Sequence, residues 1–141
     1  MRIKQLTTLS GEILNKINNL LPILSDNVRT LKHEELEEMI NDKNTVIFIA
    51  EEDEDIVGML VFIIYKLPSG VKAWIEDVIV KEDQQGRGIG RMLVETAIEY
   101  AKKLNIKKID LTSSPFRIAA NILYPKLGFK KRDTNVYRLE L

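Results

Sequence analysis

Hydrophobic and polar positions follow two different spacings along this chain, and the two spacings predict a mixture of strands and helices. Residues Arg2 to Leu6 alternate weakly, which indicates a short first strand. Apolar residues then recur at helical spacing over Gly11 to Leu20 and again from about Lys32 to Ile40. Ser10 precedes the first of these segments, where a hydroxyl can cap the free N–H groups of a helix. The amino-terminal part is therefore predicted as one strand and two amphipathic helices.

Three apolar runs rich in β-branched residues come next and predict an antiparallel meander. They cover Thr45 to Ala50, Ile56 to Tyr65 and Ala73 to Val80. The short polar connections between them, Glu51 to Asp55 and Lys66 to Lys72, are typical of turns that join antiparallel strands. The first connection is acidic, but it lacks the spaced ligands of a calcium loop, so we interpret it as a solvated turn.

The remaining chain alternates helix and strand. A long amphipathic helix from Ile89 is followed by a strand over Lys107 to Leu111, which must run parallel to its predecessor because a helix separates the two. Another helix is predicted from Ser114 to about Leu127, and two short strands around Phe129 to Lys131 and Val136 to Leu139. We expect one α/β (α+β) domain over residues 1–141, with a mixed, mostly antiparallel sheet of six to seven strands and about four helices.

Composition narrows the class of protein. The chain has 141 residues, of which 45% are hydrophobic and 30% charged, a balance typical of a soluble globular domain. Lysine plus arginine and aspartate plus glutamate each number 21, so the charge favours neither a nucleic-acid nor a membrane partner. Cysteine is absent and His33 is the single histidine, so no metal site is predicted. Without an apolar signal core or membrane-spanning run, the expected location is cytoplasmic.

The candidate chemistry begins where an apolar strand, I-E-D-V-I-V, leads through a short turn and the sequence Q-G-R-G-I-G into the long helix. The turn contains three glycines, Gly86, Gly88 and Gly90. The first N–H groups of a helix lack intrahelical partners, and the helix dipole makes this end positive. Glycine lets such a backbone approach an anion closely, and Arg87 and Arg91 flank the turn with positive charge. This arrangement predicts a cradle for phosphate.

The glycine spacing discriminates between phosphate-binding loops. The Rossmann pattern G-x-G-x-x-G fails, because its third glycine would fall on Arg91 or Leu93, and the P-loop ending G-K-[ST] is missing. The pattern that is present, Gln85-x-x-Gly88-x-Gly90, resembles the pyrophosphate loop of the GNAT superfamily of acyl-CoA-dependent N-acetyltransferases. A glycine cluster before a helix can also be an ordinary tight turn, so a second motif is needed.

That motif is R-I-A-A-N-I-L-Y-P-K-L-G-F, which begins at Arg117. Arg117, Ala120, Asn121 and Tyr124 follow i, i+3, i+4 and i+7 spacing and share one helix face. A face that mixes a cation, an amide and a phenol is unusual for core. The pattern A-x-x-L-Y-x-K-L-G-F is similar to the second GNAT motif, whose tyrosine lies beside the cofactor sulfur. The resemblance covers the chain from about Trp74 to Phe129.

The resemblance implies a set of cofactor contacts. In GNAT proteins the strand before the glycine loop splays from the next parallel strand, and its backbone pairs with the pantetheine arm. A backbone N–H in that strand can stabilise the thioester oxygen during attack. Many members carry asparagine at the position of Arg117, so the resemblance implies no amide contact with the pantetheine arm at this residue. Contact with a phosphate is the alternative role for the arginine. The residues implied for acetyl-CoA are Val78, Ile79, Val80, Gln85, Gly86, Arg87, Gly88, Ile89, Gly90, Arg91, Arg117, Asn121 and Tyr124.

Direct transfer onto an amine requires a base and an acid. Tyr124 is the candidate acid, since a phenol is protonated at neutral pH; the alternative is a tyrosine that only packs and hydrogen-bonds. Glu76 is the candidate base, directly or through water, by resemblance to members with an acid on this strand. Asp77 follows it, and in a regular strand the two side chains point to opposite faces. A purely local hydrogen-bonding role stays open for both carboxylates.

The predicted function is therefore an acetyl-CoA-dependent N-acetyltransferase that acts on a primary amine without a metal. The alternative is a non-catalytic sensor or regulatory module that binds acyl-CoA through the same fold. Two irregular segments, Ser25 to Thr30 and Lys66 to Lys72, are expected to bound the acceptor. The acceptor's identity stays open, as does the choice between monomer and homodimer.

Overall fold

A computed structural model describes all 141 residues of the chain. The strands are β1 (Arg2–Gln5), β2 (Thr45–Glu52), β3 (Asp55–Leu67), β4 (Gly70–Val80) and β5 (Ile109–Asp110). The α-helices are α1 (Gly11–Leu20), α2 (His33–Asn41), α3 (Ile89–Lys103) and α4 (Ile118–Lys126). The strands form one sheet in the order β1-β2-β3-β4-β5. Neighbours are antiparallel except for β4 and β5, so the predicted mixed, mostly antiparallel sheet is confirmed.

The sheet is smaller than predicted, with five strands instead of six to seven. The expected strands at Phe129 to Lys131 and Val136 to Leu139 are wrong, because neither segment has a ladder partner. Tyr137 and Leu139 are 87% and 83% exposed, so their alternation buries no face, and alternation without burial does not stabilise a strand. The strand predicted over Lys107 to Leu111 shortens to β5.

The start of α4 also differs from the prediction. The helix begins at Ile118, because the segment from Ser114 closes a turn of its own: the Arg117 N–H donates to the Ser114 carbonyl oxygen at 3.0 Å. Asn121 Nδ2 donates to the same oxygen at 2.9 Å. Pro115 therefore lies in this turn and not in the first turn of the helix. By contrast, the cap predicted for α1 is confirmed, with the Ser10 hydroxyl oxygen accepting from the N–H of the third helical residue at 3.2 Å.

The sheet is buried on both faces, which explains why the central strands read as continuous apolar runs. One cluster joins the sheet to α3 and α4 and includes Leu60, Phe62, Leu93, Ala97 and Tyr124. The other joins the opposite face to α1 and α2 and includes Ile17, Leu20, Leu36, Ile49 and Met59. The longest helix, α3, has 15 residues, and no helix of the chain combines the length and apolar composition needed to cross a membrane.

Helix α3 packs tightly against the sheet at Gly58 on β3. A Cβ atom at this position would lie 2.9 Å from the Ile79 carbonyl oxygen and 3.3 Å from the side chains of Ile89 and Leu93. The Ile79 carbonyl belongs to a paired strand, and Ile89 is the first residue of α3. A side chain at position 58 would therefore have to displace the strand or the start of the helix. The missing side chain of Gly58 therefore allows the start of α3 to pack directly on the sheet.

Replacing Gly58 by alanine is expected to lower the free energy of unfolding by about 1–3 kcal/mol, the usual cost of overpacking a filled core. Urea unfolding followed by circular dichroism measures this loss. Gly11→Ala is the matched control, because nothing lies within 4 Å of a Cβ at that helical position. Equal stability of the two variants would contradict the tight contact.

Candidate active site

The turn between β4 and α3 has a backbone that requires glycine. Gly86 and Gly88 both have φ near +80°, in the left-handed region, and Gly88 is the residue before the first helical turn. Nothing in the protein lies within 4 Å of a Cβ built on either residue. Gly90 has an ordinary φ, and a Cβ there would meet Val80 at 3.8 Å. The absent side chains of Gly86 and Gly88 therefore leave open space above the turn.

The backbone N–H groups of this turn have no partners in the protein. From Gly86 to Arg91 no N–H finds an acceptor, and the first helical bond runs from the Met92 N–H to the Gly88 oxygen at 3.0 Å. Gln85 Nε2 donates to the Val80 carbonyl oxygen at 3.1 Å and ties the turn to the end of β4. Unpaired donors at the positive end of a 15-residue helix are suited to bind an anion such as a pyrophosphate.

The two arginines beside the turn already have partners. Arg87 forms a bidentate pair with Glu52, with N–O distances of 2.8 and 2.9 Å, and this pairing holds the pKa of Glu52 below its usual range. Arg91 Nε lies 2.9 Å from Glu95 Oε1. The anion site in this structure thus consists of backbone donors, while Arg87 connects the turn to the end of β2.

The sheet opens next to this turn. Strand β4 pairs with β5 only through Ala73 and Trp74, whose partners are Ile109 and Asp110. The carboxyl-terminal part of β4, Ile75 to Val80, has no strand partner on that side. Its free backbone groups, including those of Val78, Ile79 and Val80, form an edge to which an extended ligand can bind.

A β-bulge interrupts β4 at the start of this edge. The ladder pairs Glu76 with Val61 but Ile79 with Met59, so β4 carries one residue more than β3 between these rungs. Asp77 has φ +49°, a left-handed conformation that is uncommon outside glycine. The prediction that Glu76 and Asp77 point to opposite faces assumes a regular strand, and the bulge interrupts the regular strand at these residues. Strained residues of this kind concentrate at functional sites.

A cavity of about 370 Å³ lies between the sheet and the helices α1 and α2. Ten apolar side chains line it, among them Leu24, Val28, Leu36, Met39, Met59 and Val61. The segment Ser25 to Thr30, one of the two predicted to bound the acceptor, contributes Val28 and Arg29 to this lining. The segment Lys66 to Lys72 contributes no residue, because it lies at the far end of the β3–β4 hairpin.

Two charged residues line the cavity, and only one of them lacks a partner. Arg29 Nη1 lies 2.5 Å from Glu35 Oε2, whereas Asp77 makes no hydrogen bond or ion pair. Asp77 is exposed to solvent on one side, yet its apolar neighbours partly desolvate the carboxyl group and raise its pKa above the usual range. Glu76 does not line the cavity. The bulge thus brings the second carboxylate, not the predicted first, to the cavity wall.

Tyr124 is buried on α4, on the other face of the sheet. Its ring meets Phe129 edge to face with 5.8 Å between centroids, and 8% of its surface is exposed. Burial disfavours the phenolate and raises the pKa of Tyr124, an effect that the nearby Arg117 partly opposes. The hydroxyl has no hydrogen-bond partner within the chain, so its proton is free to be donated to a ligand.

Asn121 and Arg117, the other two predicted cofactor residues at α4, differ in the hydrogen-bonding groups that they leave free. Asn121 uses its amide nitrogen within the chain, donating to Ser114 and, at 2.8 Å, to the Arg117 carbonyl oxygen. Only its side-chain oxygen remains to accept a hydrogen bond. Arg117 precedes the first turn of α4 and forms no ion pair, so its guanidinium is free to bind an anion.

A second depression of about 500 Å³ lies between α3 and the edge formed by β1 and β2. Its two carboxylates, Glu95 and Glu99, are already paired with Arg91 and Lys102 at 2.9 Å. It is separate from the glycine turn and from the open edge of β4, so we do not assign it to the reaction.

An open parallel strand pair beside a helix start with unpaired N–H groups defines the candidate site of this α/β fold. Residues 16–129 match the family described as Acetyltransferase (GNAT), and the chain belongs to this family. It is 27% identical over 94 residues to N-acetyltransferase 8B from Rattus norvegicus, covering 65% of this chain and 42% of that protein. The chain thus spans less than half the length of the first curated relatives it matches.

Solved structures share the fold over almost the whole chain. A transcriptional regulator from Bacillus halodurans superposes with a TM-score of 0.84 and 28% identity, covering 99% of each chain. An aminoglycoside N-acetyltransferase in complex with CoA has a TM-score of 0.80 and 18% identity, covering 99% of this chain and 93% of that one. At 18% identity the latter likeness shows the fold alone.

Proposed function

We propose that this protein transfers the acetyl group of acetyl-CoA directly to a primary amine. The observation that carries the proposal is the run of unpaired backbone N–H groups from Gly86 to Arg91, located beside the open edge of β4. Membership of the GNAT family supports it, as does the CoA bound to a structural neighbour of the same fold.

The residues of the site fit acetyl-CoA, whose thioester supplies the activated acetyl group. A pyrophosphate fits the glycine turn, because Gly86 and Gly88 leave open space above six consecutive free donors. The pantetheine arm fits the free edge over Val78 to Val80 as an added strand. Asn121 would accept from the arm through its side-chain oxygen, and the unpaired Arg117 would bind a phosphate oxygen.

The base in this proposal is a carboxylate of the bulge. An amine is largely protonated at neutral pH and must lose a proton before its nitrogen can attack. Asp77 lines the acceptor cavity, has no partner that competes for its charge, and has a raised pKa that makes it a stronger base. The role of Glu76 as the base stays a prediction, and the variants Asp77→Asn and Glu76→Gln distinguish the two carboxylates.

The acid in this proposal is Tyr124. The C–N bond forms as the C–S bond breaks, and the ammonium loses two protons in all. One passes through Asp77 to solvent, and the other restores the phenol after Tyr124 has protonated the thiolate sulfur. The raised pKa keeps Tyr124 neutral at physiological pH, and its unpartnered hydroxyl is free to donate. The products are an N-acetylated amine and CoA with a free thiol.

Two measurements test the function, namely CoA binding by calorimetry and thiol release from acetyl-CoA in the presence of amines. We expect both binding and turnover, and we expect Gly88→Val to lose binding because a β-branched residue cannot adopt φ near +80°. Thermal unfolding of the variant shows whether α3 is retained. Binding without turnover of any amine would favour the acyl-CoA sensor, and absence of binding would refute the anion site.

A further inference from the structure

We propose that the acceptor is a monoamine with an apolar body, an alkylamine or arylalkylamine, whose ammonium binds Asp77 while its body fills the cavity between α1, α2 and the sheet. This inference rests on the proposed function and deepens it by naming the substrate class. It also excludes polycationic acceptors such as polyamines and aminoglycosides.

The first argument is the chemistry of the cavity wall. Ten of the twelve lining residues are apolar, and the deepest of them, such as Ile17, Leu36 and Met59, are also part of the hydrophobic core. A volume of about 370 Å³ is near the lower end of the range of roughly 300–1,000 Å³ for small-molecule sites. Apart from Asp77 and the paired Arg29, the lining side chains offer no hydrogen-bond partners for the hydroxyl groups of a sugar, whereas they match a compact hydrocarbon.

The second argument is the count of charges. Asp77 is the single unpaired charge on the wall, so the cavity can neutralise one ammonium. A second ammonium on the ligand would enter an apolar space without a counter-charge, because the other charged group on the wall, Arg29, is itself a cation and is already paired. Glu35 does not provide the missing charge, because it is paired with Arg29.

The third argument is the position of the charge. The bulge places Asp77 at the junction between the cavity and the free edge of β4, one residue before Val78. An ammonium bound to Asp77 would therefore lie at the end of the edge where the proposed thioester binds. The apolar body would extend away from this junction, between Val28 in the loop and Val61 on the sheet.

A matched pair of ligands tests the proposal directly. Hexylamine and 1,6-diaminohexane have the same carbon chain and differ by one ammonium group. We expect kcat/KM for hexylamine to exceed that for the diamine by at least about tenfold, after correction for its two equivalent amines. In the series from propylamine to hexylamine, kcat/KM is expected to rise about fourfold for each methylene that the cavity buries.

A variant reverses the expected preference. Val28→Asp adds a carboxylate to the cavity from a loop position that is only half-buried, so the fold should tolerate it. The variant is expected to gain activity on the diamine and lose activity on hexylamine. Val28→Asn, of nearly the same size and without charge, is its control.

The possible outcomes distinguish a failure of this inference from a failure of the proposed acetyl transfer on which it rests. Turnover that is faster with the diamine or an aminoglycoside than with hexylamine would overturn the acceptor class and leave acetyl transfer intact. If no amine turns over, calorimetric titration of hexylamine in the presence of CoA tests the cavity assignment separately from catalysis. Hexylamine binding that is lost in Asp77→Asn would then support the cavity assignment without catalysis, and absence of hexylamine binding would refute it.

Discussion

Replacing Asp77 by asparagine is expected to lower kcat/KM for acetyl transfer by about 10²-fold or more, the usual contribution of a general base. Asparagine has nearly the same size as aspartate and is among the few residues that tolerate a φ of +49°, so the bulge should persist. Glu76→Gln is the matched control one position away and is expected to retain most of the activity, because Glu76 does not line the cavity. The reverse order of effects would assign the base to Glu76.

The same substitution is expected to preserve or raise stability, which distinguishes a lost base from a damaged fold. Partial desolvation by apolar neighbours raises the pKa of the otherwise exposed Asp77 in the folded protein, so folding disfavours the ionised form to a small extent. Stability is therefore lost as pH rises from the unfolded pKa, about 3.9, through the raised folded pKa. The Asp77→Asn variant lacks this loss, and its melting temperature at pH 7 should equal or exceed that of the wild type. The difference in melting temperature should vanish near pH ~3, where the Asp77 carboxyl group is largely protonated in both the folded and the unfolded protein.

Tyr124→Phe is expected to reduce kcat by about 10²-fold or more while CoA binding stays unchanged. The variant removes the hydroxyl and keeps the ring, so the edge-to-face contact with Phe129 and the packing of α4 are preserved. Presteady-state thiol release together with CoA calorimetry separates chemistry from binding.

Tyr100→Phe is the control for this experiment. Tyr100 packs edge to face against Phe48 and Phe62 and lies outside the proposed site. It should turn over at the wild-type rate. If Tyr124→Phe weakens CoA binding as much as it slows turnover, Tyr124 holds the cofactor and does not donate the proton.

Much of the frame of the site could be predicted because its signals are local. The glycine cluster indicated the turn before α3, and the hydroxyl of Ser10 indicated the start of α1. Apolar spacing indicated three of the antiparallel strands, which the sheet confirms. Each of these signals depends on residues within one or two turns of the feature they determine.

The features that were missed depend on residues far apart in the chain. A regular strand places Glu76 and Asp77 on opposite faces, and only the ladder with β3 reveals the bulge between them. The cavity beside Asp77 combines both amino-terminal helices with three strands, so no single stretch of the sequence predicts it. The apolar alternation from Val136 to Leu139 resembles that of a true strand, but alternation cannot show that an edge is available to receive it.

The opening between β4 and β5 has a spectroscopic consequence. Trp74 is the only tryptophan of the chain, and it occupies the last rung of the parallel ladder, opposite Asp110. Its indole is therefore located where the two strands separate. Intrinsic fluorescence, excited at wavelengths that tryptophan alone absorbs, therefore comes from one residue at the point where β4 and β5 separate. It detects changes in the surroundings of that point without any label attached to the protein.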